Sequence, residues 1–411
     1  MNHPPLLLEL FTEELPPKSL KRLGESLSQS IYESLNKAQL LSASSAYQSF
    51  ASPRRLAVLI SDVLDQAPDY PVREKLLPLS IAFDAQGKPS QALTKKLVSL
   101  GHPDTPLDQL ERSGEGKNEA LYLNTIATGA RLESALQQAL IAAIDHLPIA
   151  KMMHYQITVP SGAIEEVQFA RPVHRIIALH GSKTLAIHAL GIDASKQTEG
   201  HRFLSSGMMT IRDAQQYESQ LESAKVIASF GKRRAYIESE LQKAAKGLRV
   251  LMPDALLDEV TALVEYPAIY SCEFDPEFLE VPQECLILTM QTNQKYFALT
   301  NQDGKLSNRF LIVSNIQTDQ PESIISGNER VIRPRLADAR FFYLQDQKRT
   351  LESRIPDLAK VIYHNQLGNQ LQRSERVRAL ANEIASSLNQ AGSQLKLQEV
   401  DRAAQLAKAD L

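Results

Sequence analysis

Leu6-Leu7-Leu8-Glu9-Leu10-Phe11-Thr12-Glu13-Glu14-Leu15-Pro16-Pro17 is the stretch on which the reading of the fold turns. A short apolar run followed directly by a double proline is too brief for a helix and reads as a buried strand. Pro16-Pro17 ends that strand and opens a helix across residues 19–40, because proline is tolerated where a first-turn N–H has no helical partner. Leu20, Leu23, Leu27 and Ile31 then recur on one face of that helix. A second apolar strand is expected at 56–63. The N-terminal part is therefore a strand–helix–strand start.

Outward from there, residues 77–147 read as a more polar, mostly helical section. One strand is expected near Leu121-Tyr122-Leu123, with loops at 101–106 and 113–117. From about 157 to 313 short strands return, at 173–179, 267–272, 296–299 and 310–314. Helices at 213–224, 232–246 and 283–291 interleave with them. Strands and helices without a regular alternation predict an α+β class rather than a doubly wound sheet.

Beyond Pro321 the strand signal stops. Helices are expected over 322–345, 347–363 and 367–388, and a last one begins near Leu395 and is still running at Leu411. The expected division is 1–150, 151–320 and an all-helical 321–411. The last helix has no Gly, Pro or basic cap, so the chain is expected to be a piece cut inside a helical domain.

The composition sets outer bounds. A 411-residue chain is too long for one ordinary core, and 43% hydrophobic with 23% charged residues is a globular balance, which excludes disordered and fibrous architectures. A net charge of −3 excludes a histone-like protein but leaves room for a local basic face. Two cysteines make no disulfide framework and fit a reducing compartment. No apolar run approaches bilayer length, and Met1-Asn2-His3-Pro4-Pro5 lacks a basic signal-peptide region, so a cytoplasmic location is expected.

Catalytic signatures are missing. Ser113-Gly114-Glu115-Gly116-Lys117-Asn118 lacks both the earlier glycine and the Ser/Thr of a phosphate loop. There is no dinucleotide fingerprint, no G-x-S-x-G elbow and no H-E-x-x-H pair. Cys272 and Cys285 are read as small buried hydrophobes.

Instead, five polar clusters sit at element ends. In Thr12-Glu13-Glu14-Leu15-Pro16 the favoured role is helix capping by Thr12 or Glu13, against reception of a partner's basic group. Ser52-Pro53-Arg54-Arg55-Leu56 can bind phosphate, or pair with Glu13 and Glu14 across neighbouring strands, which is preferred. In Phe169-Ala170-Arg171-Pro172-Val173-His174-Arg175 and Gly200-His201-Arg202-Phe203, His174 and His201 read as hydrogen-bonded structural histidines. Gln291-Thr292-Asn293-Gln294-Lys295-Tyr296-Phe297 either contacts RNA by stacking and phosphate pairing or closes a hairpin, and the residues alone do not separate the two.

The fifth cluster is Ser326-Gly327-Asn328-Glu329-Arg330-Val331-Ile332-Arg333-Pro334-Arg335-Leu336-Ala337-Asp338-Ala339-Arg340-Phe341-Phe342. Arg330, Arg333 and Arg340 fall near one helical face, Arg335 is placed to pair with Asp338, and Pro334 is expected to force a kink or a new helix start. Four arginines, almost no lysine and two aromatics point to a binding face for phosphate or carboxylate.

Taken in order with Ile325-Ser326-Gly327-Asn328-Glu329 and Arg333-Pro334-Arg335-Leu336-Ala337-Asp338-Ala339, these clusters resemble the β subunit of bacterial glycyl-tRNA synthetase over about residues 6–411. The resemblance implies an α2β2 ligase that attaches glycine to tRNA(Gly) using ATP. The α subunit then carries the adenylate chemistry with ATP and Mg²⁺, and β supplies tRNA binding. It further implies an N-terminal module similar to B3/B4 of phenylalanyl-tRNA synthetase β, then the opening of an HD-type helical domain. An anticodon-binding region would lie beyond.

Two departures stand out. His154-Tyr155 follows Lys151-Met152-Met153 where the family usually has Arg-Trp, and no His-Asp dipeptide occurs, which argues against a metal-dependent phosphohydrolase and for a scaffold. The expected contacts with tRNA or the α subunit are Arg330, Arg333, Arg335 and Arg340, with Lys295 and Tyr296 secondary; no catalytic or metal-binding residue is expected. The rival readings are a nonenzymatic RNA-binding or assembly module and a degenerate HD phosphohydrolase.

Overall fold

The computed structural model describes residues 3–84, 87–114, 119–158 and 162–411. Residues 115–118 of the phosphate-loop-like segment lie outside the described residues. The chain forms two compact units. The first comprises Met1–Ala244, Met252–Tyr270 and Val313–Asp319, and the second Ala245–Leu251, Ser271–Ile312 and Gln320–Leu411.

The first unit is built on the opening stretch. Strand β1 (Leu6–Thr12) is buried along its whole length, and helix α1 (Pro17–Lys37) follows after Pro16. Strands β2 (Tyr47–Ser52) and β3 (Arg55–Ile60) form a hairpin, and β3 pairs antiparallel with β1. On its other side β1 pairs antiparallel with the strand Val173–His180. The sheet has seven strands. Its order runs His188–Ala189, Ile192–Ser195, Val173–His180, β1, β3, β2, with Lys183–Thr184 off the path.

Alternation along β1 sends its side chains to two cores. Leu6, Leu8 and Leu10 pack with Leu20, Leu23, Leu27 and Ile31 of α1, and with Leu136 and Leu140 of the helix Leu132–His146. Leu7, on the opposite face, packs with Phe50, Ile177, Leu179 and Tyr217. A strand covered on both faces reads as a continuous apolar run, as this one does. Gly24 of α1 is needed for close approach, since a Cβ there would sit 2.7 Å from that of Ala51.

Residues 77–147 are not mostly helical. Tyr70–Pro78, Ala120–Ala127 and Leu110–Ser113 form a three-stranded sheet, and the helices described before Leu132–His146 are the short Leu79–Ala82 and Gln91–Ser99 and a 3-10 turn at Leu107–Gln109. The first of these strands is charged at Arg73, Glu74 and Lys75 and buries Leu76 alone, so its period-2 signal is faint.

In the second unit the strand order is Arg249–Val250, Phe297–Thr300, Leu306–Ser314, Ala268–Glu273, with the helix Gln283–Gln294 nearby. The helix Glu322–Asp346 runs unbroken through Pro334. Proline removes one N–H from the ladder, but Ile332 and Leu336 flank it fully buried, and that packing offsets the lost bond. Among the described residues no ion pair joins Arg335 to Asp338.

Residues 347–363 form a short helix at Leu351–Arg354 and a 3-10 turn at Ile355–Lys360 that carries Pro356, not one helix. A hairpin of Ile362–His364 and Gly368–Asn369 follows, so the region past 321 is not all-helical. The helices Gln370–Gln390 and Leu397–Leu406 complete it. Mixed helix and strand content in more than one compact unit agrees with the expected class. Among the described residues no helix is long and apolar enough to cross a membrane.

Candidate functional site

Three of the polar clusters meet at one end of the large sheet. Thr12 N–H donates to the Arg54 carbonyl (2.8 Å), Leu15 N–H to Pro53 (2.7 Å) and Glu13 N–H to Pro172 (2.9 Å). Backbone bonds thus lace the Thr-Glu-Glu-Leu-Pro loop to the two arginine-bearing loops. The pairing of β1 with Val173–His180 slips between Phe11 and Thr12, from Phe11 opposite Arg175 to Thr12 opposite Val173. That bulge leaves His174 without a strand partner and aims it outward. Its Nε2 donates to Glu13 Oε1 at 3.0 Å.

Gly200-His201-Arg202-Phe203 is drawn in from the side. Arg202 Nη2 donates to Glu13 Oε2 (3.0 Å), and Nη1 lies 3.2 Å from Glu14. Arg175 Nη2 donates to Glu199 (3.2 Å). The result is a pocket of about 310 Å³ lined by Thr12, Glu13, Arg54, His174, Arg175, Glu199 and Arg202, with Phe11 at its wall. Partial burial raises the Glu13 carboxyl, but hydrogen bonds from His174 and Arg202 outweigh it and hold the group below the usual carboxylate range.

A buried ionic layer lies beneath. Arg54 Nη2 and Arg55 Nη1 donate to the two oxygens of Glu265, at 2.9 and 3.1 Å. The same guanidiniums hold the far rim: Arg54 donates to the Gly200 carbonyl (2.9 Å) and Arg55 to that of Glu199 (2.6 Å). Glu9 accepts from Thr198 and from the Tyr217 hydroxyl, both at 2.5 Å. Burial and the neighbouring Glu9 push the Tyr217 phenol well up, so it stays a donor. Arg233 is also fully buried and donates to the carbonyls of Thr261, Ile227 and Ala51. Burial lowers its pKa to about 9, which leaves it charged at neutral pH.

Several expectations change here. Arg54 and Arg55 pair internally, but with Glu265 and Glu9 rather than with Glu13 and Glu14. Neither Thr12 nor Glu13 caps α1: Pro16 occupies the cap position with no side-chain bond, and the Glu13 carboxylate is taken by His174 and Arg202. His201 is fully buried, and its Nδ1 accepts from Phe203 and Leu204 N–H, as a structural histidine would. Tyr155, in the departing His-Tyr pair, accepts the Val173 N–H with its hydroxyl (3.2 Å), a structural contact.

The arginines of the helix Glu322–Asp346 do not form one patch. Arg333 pairs with Asp275 (3.1 Å), and Arg340 with Glu277 (3.0 Å) and Glu280 (3.3 Å). Arg330 and Arg335 are exposed. Five residues apart at about 100° per residue, they point in different directions. Lys295 is the left-handed residue that ends the helix Gln283–Gln294. Tyr296 is 5% exposed, stacked on Phe310 at 4.9 Å, and donates to Asn328 (2.6 Å). No ring face of Tyr296 is left for a base. Cys272 is buried and its thiol is pushed up to about 12, mainly by desolvation, whereas Cys285 is exposed rather than buried. Among the described residues no group of three or more His, Cys, Asp or Glu side chains is placed to hold a metal.

Glu9, Glu199, Glu265 and Tyr217 are the residues the sequence did not announce. Glu9 carried a signal, since a lone charge inside an apolar strand demands a buried partner. Glu265 carried none.

The lining groups of this pocket are ion-paired arginine, glutamate and histidine side chains. Residues 6–411 match the family described as glycyl-tRNA synthetase beta subunit. A relative from Ralstonia nicotianae named glycine–tRNA ligase beta subunit is 52% identical over 411 residues, covering 99% of this chain and 58% of the relative. Relatives of the same name from Paracidovorax citrulli and Delftia acidovorans are 49% and 50% identical, each covering all of this chain and 59% of the relative. The chain thus spans less than two thirds of the length of these relatives, and it belongs to the glycyl-tRNA synthetase beta subunit family.

Proposed function

We infer that this chain works as part of a cytoplasmic glycine–tRNA ligase. It binds and positions tRNA(Gly), while a partner α subunit forms the glycyl adenylate from glycine and ATP with Mg²⁺. Family membership carries the reading. In it, the first unit corresponds to the B3/B4-like module and the helices after residue 321 to the start of an HD-type domain. Holding the terminal ribose hydroxyl against an activated carbonyl converts a bimolecular encounter into a local one, which is where positioning lowers the barrier.

The contact surface is assigned to the helix Glu322–Asp346. Arg330 and Arg335 are exposed and available for phosphate. Arg333 and Arg340 sit in partly exposed ion pairs, which are worth little and yield readily to a phosphate. Lys295 is secondary. The test is equilibrium binding of tRNA(Gly) across a salt series, comparing the chain with its Arg330→Ala/Arg335→Ala variant. Each lost phosphate contact reduces the slope of log affinity against log salt by about one. Unchanged affinity and slope would remove this helix from the interface.

A further inference from the structure

The helix Gln370–Gln390 turns most of its large apolar side chains outward. Val377, Leu380, Ile384 and Leu388 recur at helical spacing and fall within about 80° of one another around its axis. They are 46%, 62%, 58% and 45% exposed. The buried residues of the same helix are the small Ser374 and Ala385. An amphipathic helix in a closed fold does the reverse, so this stripe is a docking face without its partner.

The neighbouring elements lie elsewhere. Asp401 of the helix Leu397–Leu406 accepts from Arg378 Nε (2.7 Å) and from Asn382 Nδ2 (2.6 Å), both on the far side of the helix from the stripe. The hairpin Ile362–His364 and Gly368–Asn369 reaches the stripe's N-terminal end, where the Arg373 guanidinium lies 4.3 Å from the centre of the Tyr363 ring. Among the described residues none closes over the stripe between Val377 and Leu388.

The charges beside the stripe select the occupant. Arg376, four residues before Leu380, and Glu383, three after it, are exposed and project from the same flank. Arg376 donates one bond to the Leu367 carbonyl (3.0 Å). Two copies of the helix laid antiparallel about Leu380 put Arg376 of each against Glu383 of the other. Leu380 then meets its own counterpart, and Val377 meets Ile384. A parallel pairing would set arginine on arginine and glutamate on glutamate. The pattern is self-complementary, as a two-fold interface between like chains requires.

We propose that two copies of this chain associate through the helix Gln370–Gln390, antiparallel, with the apolar stripe as shared core and two Arg376–Glu383 pairs at its edge. Four apolar side chains from each copy make a small contact beside the roughly 1,200 Å² of a stable interface. The dimer is therefore weak, with a dissociation constant of roughly 1–100 μM. Association needs no tRNA, so its failure leaves the tRNA-positioning reading untouched.

The test is sedimentation equilibrium of the 411-residue chain from about 1 to about 200 μM. The mass is expected to rise from 45.7 kDa towards twice that value. Leu380→Glu, an exposed substitution to be shown folded by circular dichroism, should weaken association at least about tenfold, because it buries an unpaired charge. Arg376→Glu and Glu383→Arg should each weaken it at least about threefold, since each turns both edge pairs repulsive. An equimolar mixture of these two variants should recover the parent's affinity, because the pairs are again opposite in sign. A constant 45.7 kDa across the range would overturn the proposal. So would undiminished association of folded Leu380→Glu, or a mixture that associates no more strongly than either charge variant alone.

Discussion

Arg55 Nη1 lies 3.1 Å from Glu265 Oε1, although 210 residues separate them in sequence and neither side chain is more than 2% exposed. Arg54, one residue earlier, takes the other Glu265 oxygen. One carboxylate therefore bridges two buried guanidiniums, Glu9 lies 3.5 Å from Arg55 as the second negative charge, and those guanidiniums in turn fix the Glu199–Gly200 backbone.

Removing that carboxylate strands the buried Arg54 and leaves Arg55 with Glu9 alone. Glu265→Gln is expected to destabilise the first unit by about 3–5 kcal/mol, the usual cost of breaking a buried pair from one side. Glu14→Gln, in an exposed pair with Arg202, should cost under about 1 kcal/mol. Urea unfolding followed by circular dichroism distinguishes the two, and similar midpoints would mean that the buried layer contributes no more than the rim.

The same residue fixes an acid dependence. Burial alone would raise the Glu265 carboxyl, but Arg55 and Arg54 more than reverse this and hold it below the usual range. A folded-state pKa below the unfolded one means that the unfolded chain binds more protons between the two values. The stabilisation is therefore complete above the unfolded-state value, near about 4.3, and is lost as pH falls through the folded one. Melting temperature should drop below about pH 4 in the parent chain. It should drop less steeply in Glu265→Gln, where that titration is absent; parallel curves would contradict the assignment.

Tyr217→Phe removes the hydroxyl that donates to the fully buried Glu9. An acceptor left short of a donor in a dry site costs about 1–3 kcal/mol, more when it is charged. Thr198 still donates to Glu9, so the loss should fall within that range. A midpoint unchanged from the parent would show that the phenol contributes packing alone.

Gly200→Ala tests the rim. A Cβ at this position would meet Ser205 Oγ at 2.5 Å, Ala224 Cβ at 2.7 Å and the Ala224 carbonyl oxygen at 2.9 Å. Backbone lies among these neighbours, so the loop must shift, at an overpacking cost of about 1–3 kcal/mol. Because Arg202 is carried on the same turn, its pairing with Glu13 should loosen, visible as a rise in the His174 ring exchange rate by NMR. An unperturbed His174 signal would show that the loop absorbs the methyl locally.

Local signals carried the fold well wherever one segment buried its own face. The apolar run 6–11, the double proline and the Leu20-Leu23-Leu27-Ile31 stripe each stated their structure directly, because packing and periodicity there agree. Legibility failed where strands are mostly solvated, as at Tyr70–Pro78, and where a short hairpin at Ile362–His364 and Gly368–Asn369 buries almost nothing.

The site was legible as pieces. Glu13, Arg54, His174 and Arg202 all stood out for residue type at element ends, but their pairing depends on contacts across 146 to 211 residues, which no local pattern encodes. Arginine density at 330–340 was visible. That Asp275, Glu277 and Glu280 answer two of those arginines was not, since the partners belong to another segment.

On the proposed function, this chain meets tRNA through the helix Glu322–Asp346. Photocrosslinking of 4-thiouridine-substituted tRNA(Gly) to the chain, with peptide mapping of the adducts, tests it most directly. Adducts are expected on peptides containing Arg330 and Arg335, diminished by competing unmodified tRNA and by high salt. Competable adducts confined to the first unit, with none on this helix, would contradict it.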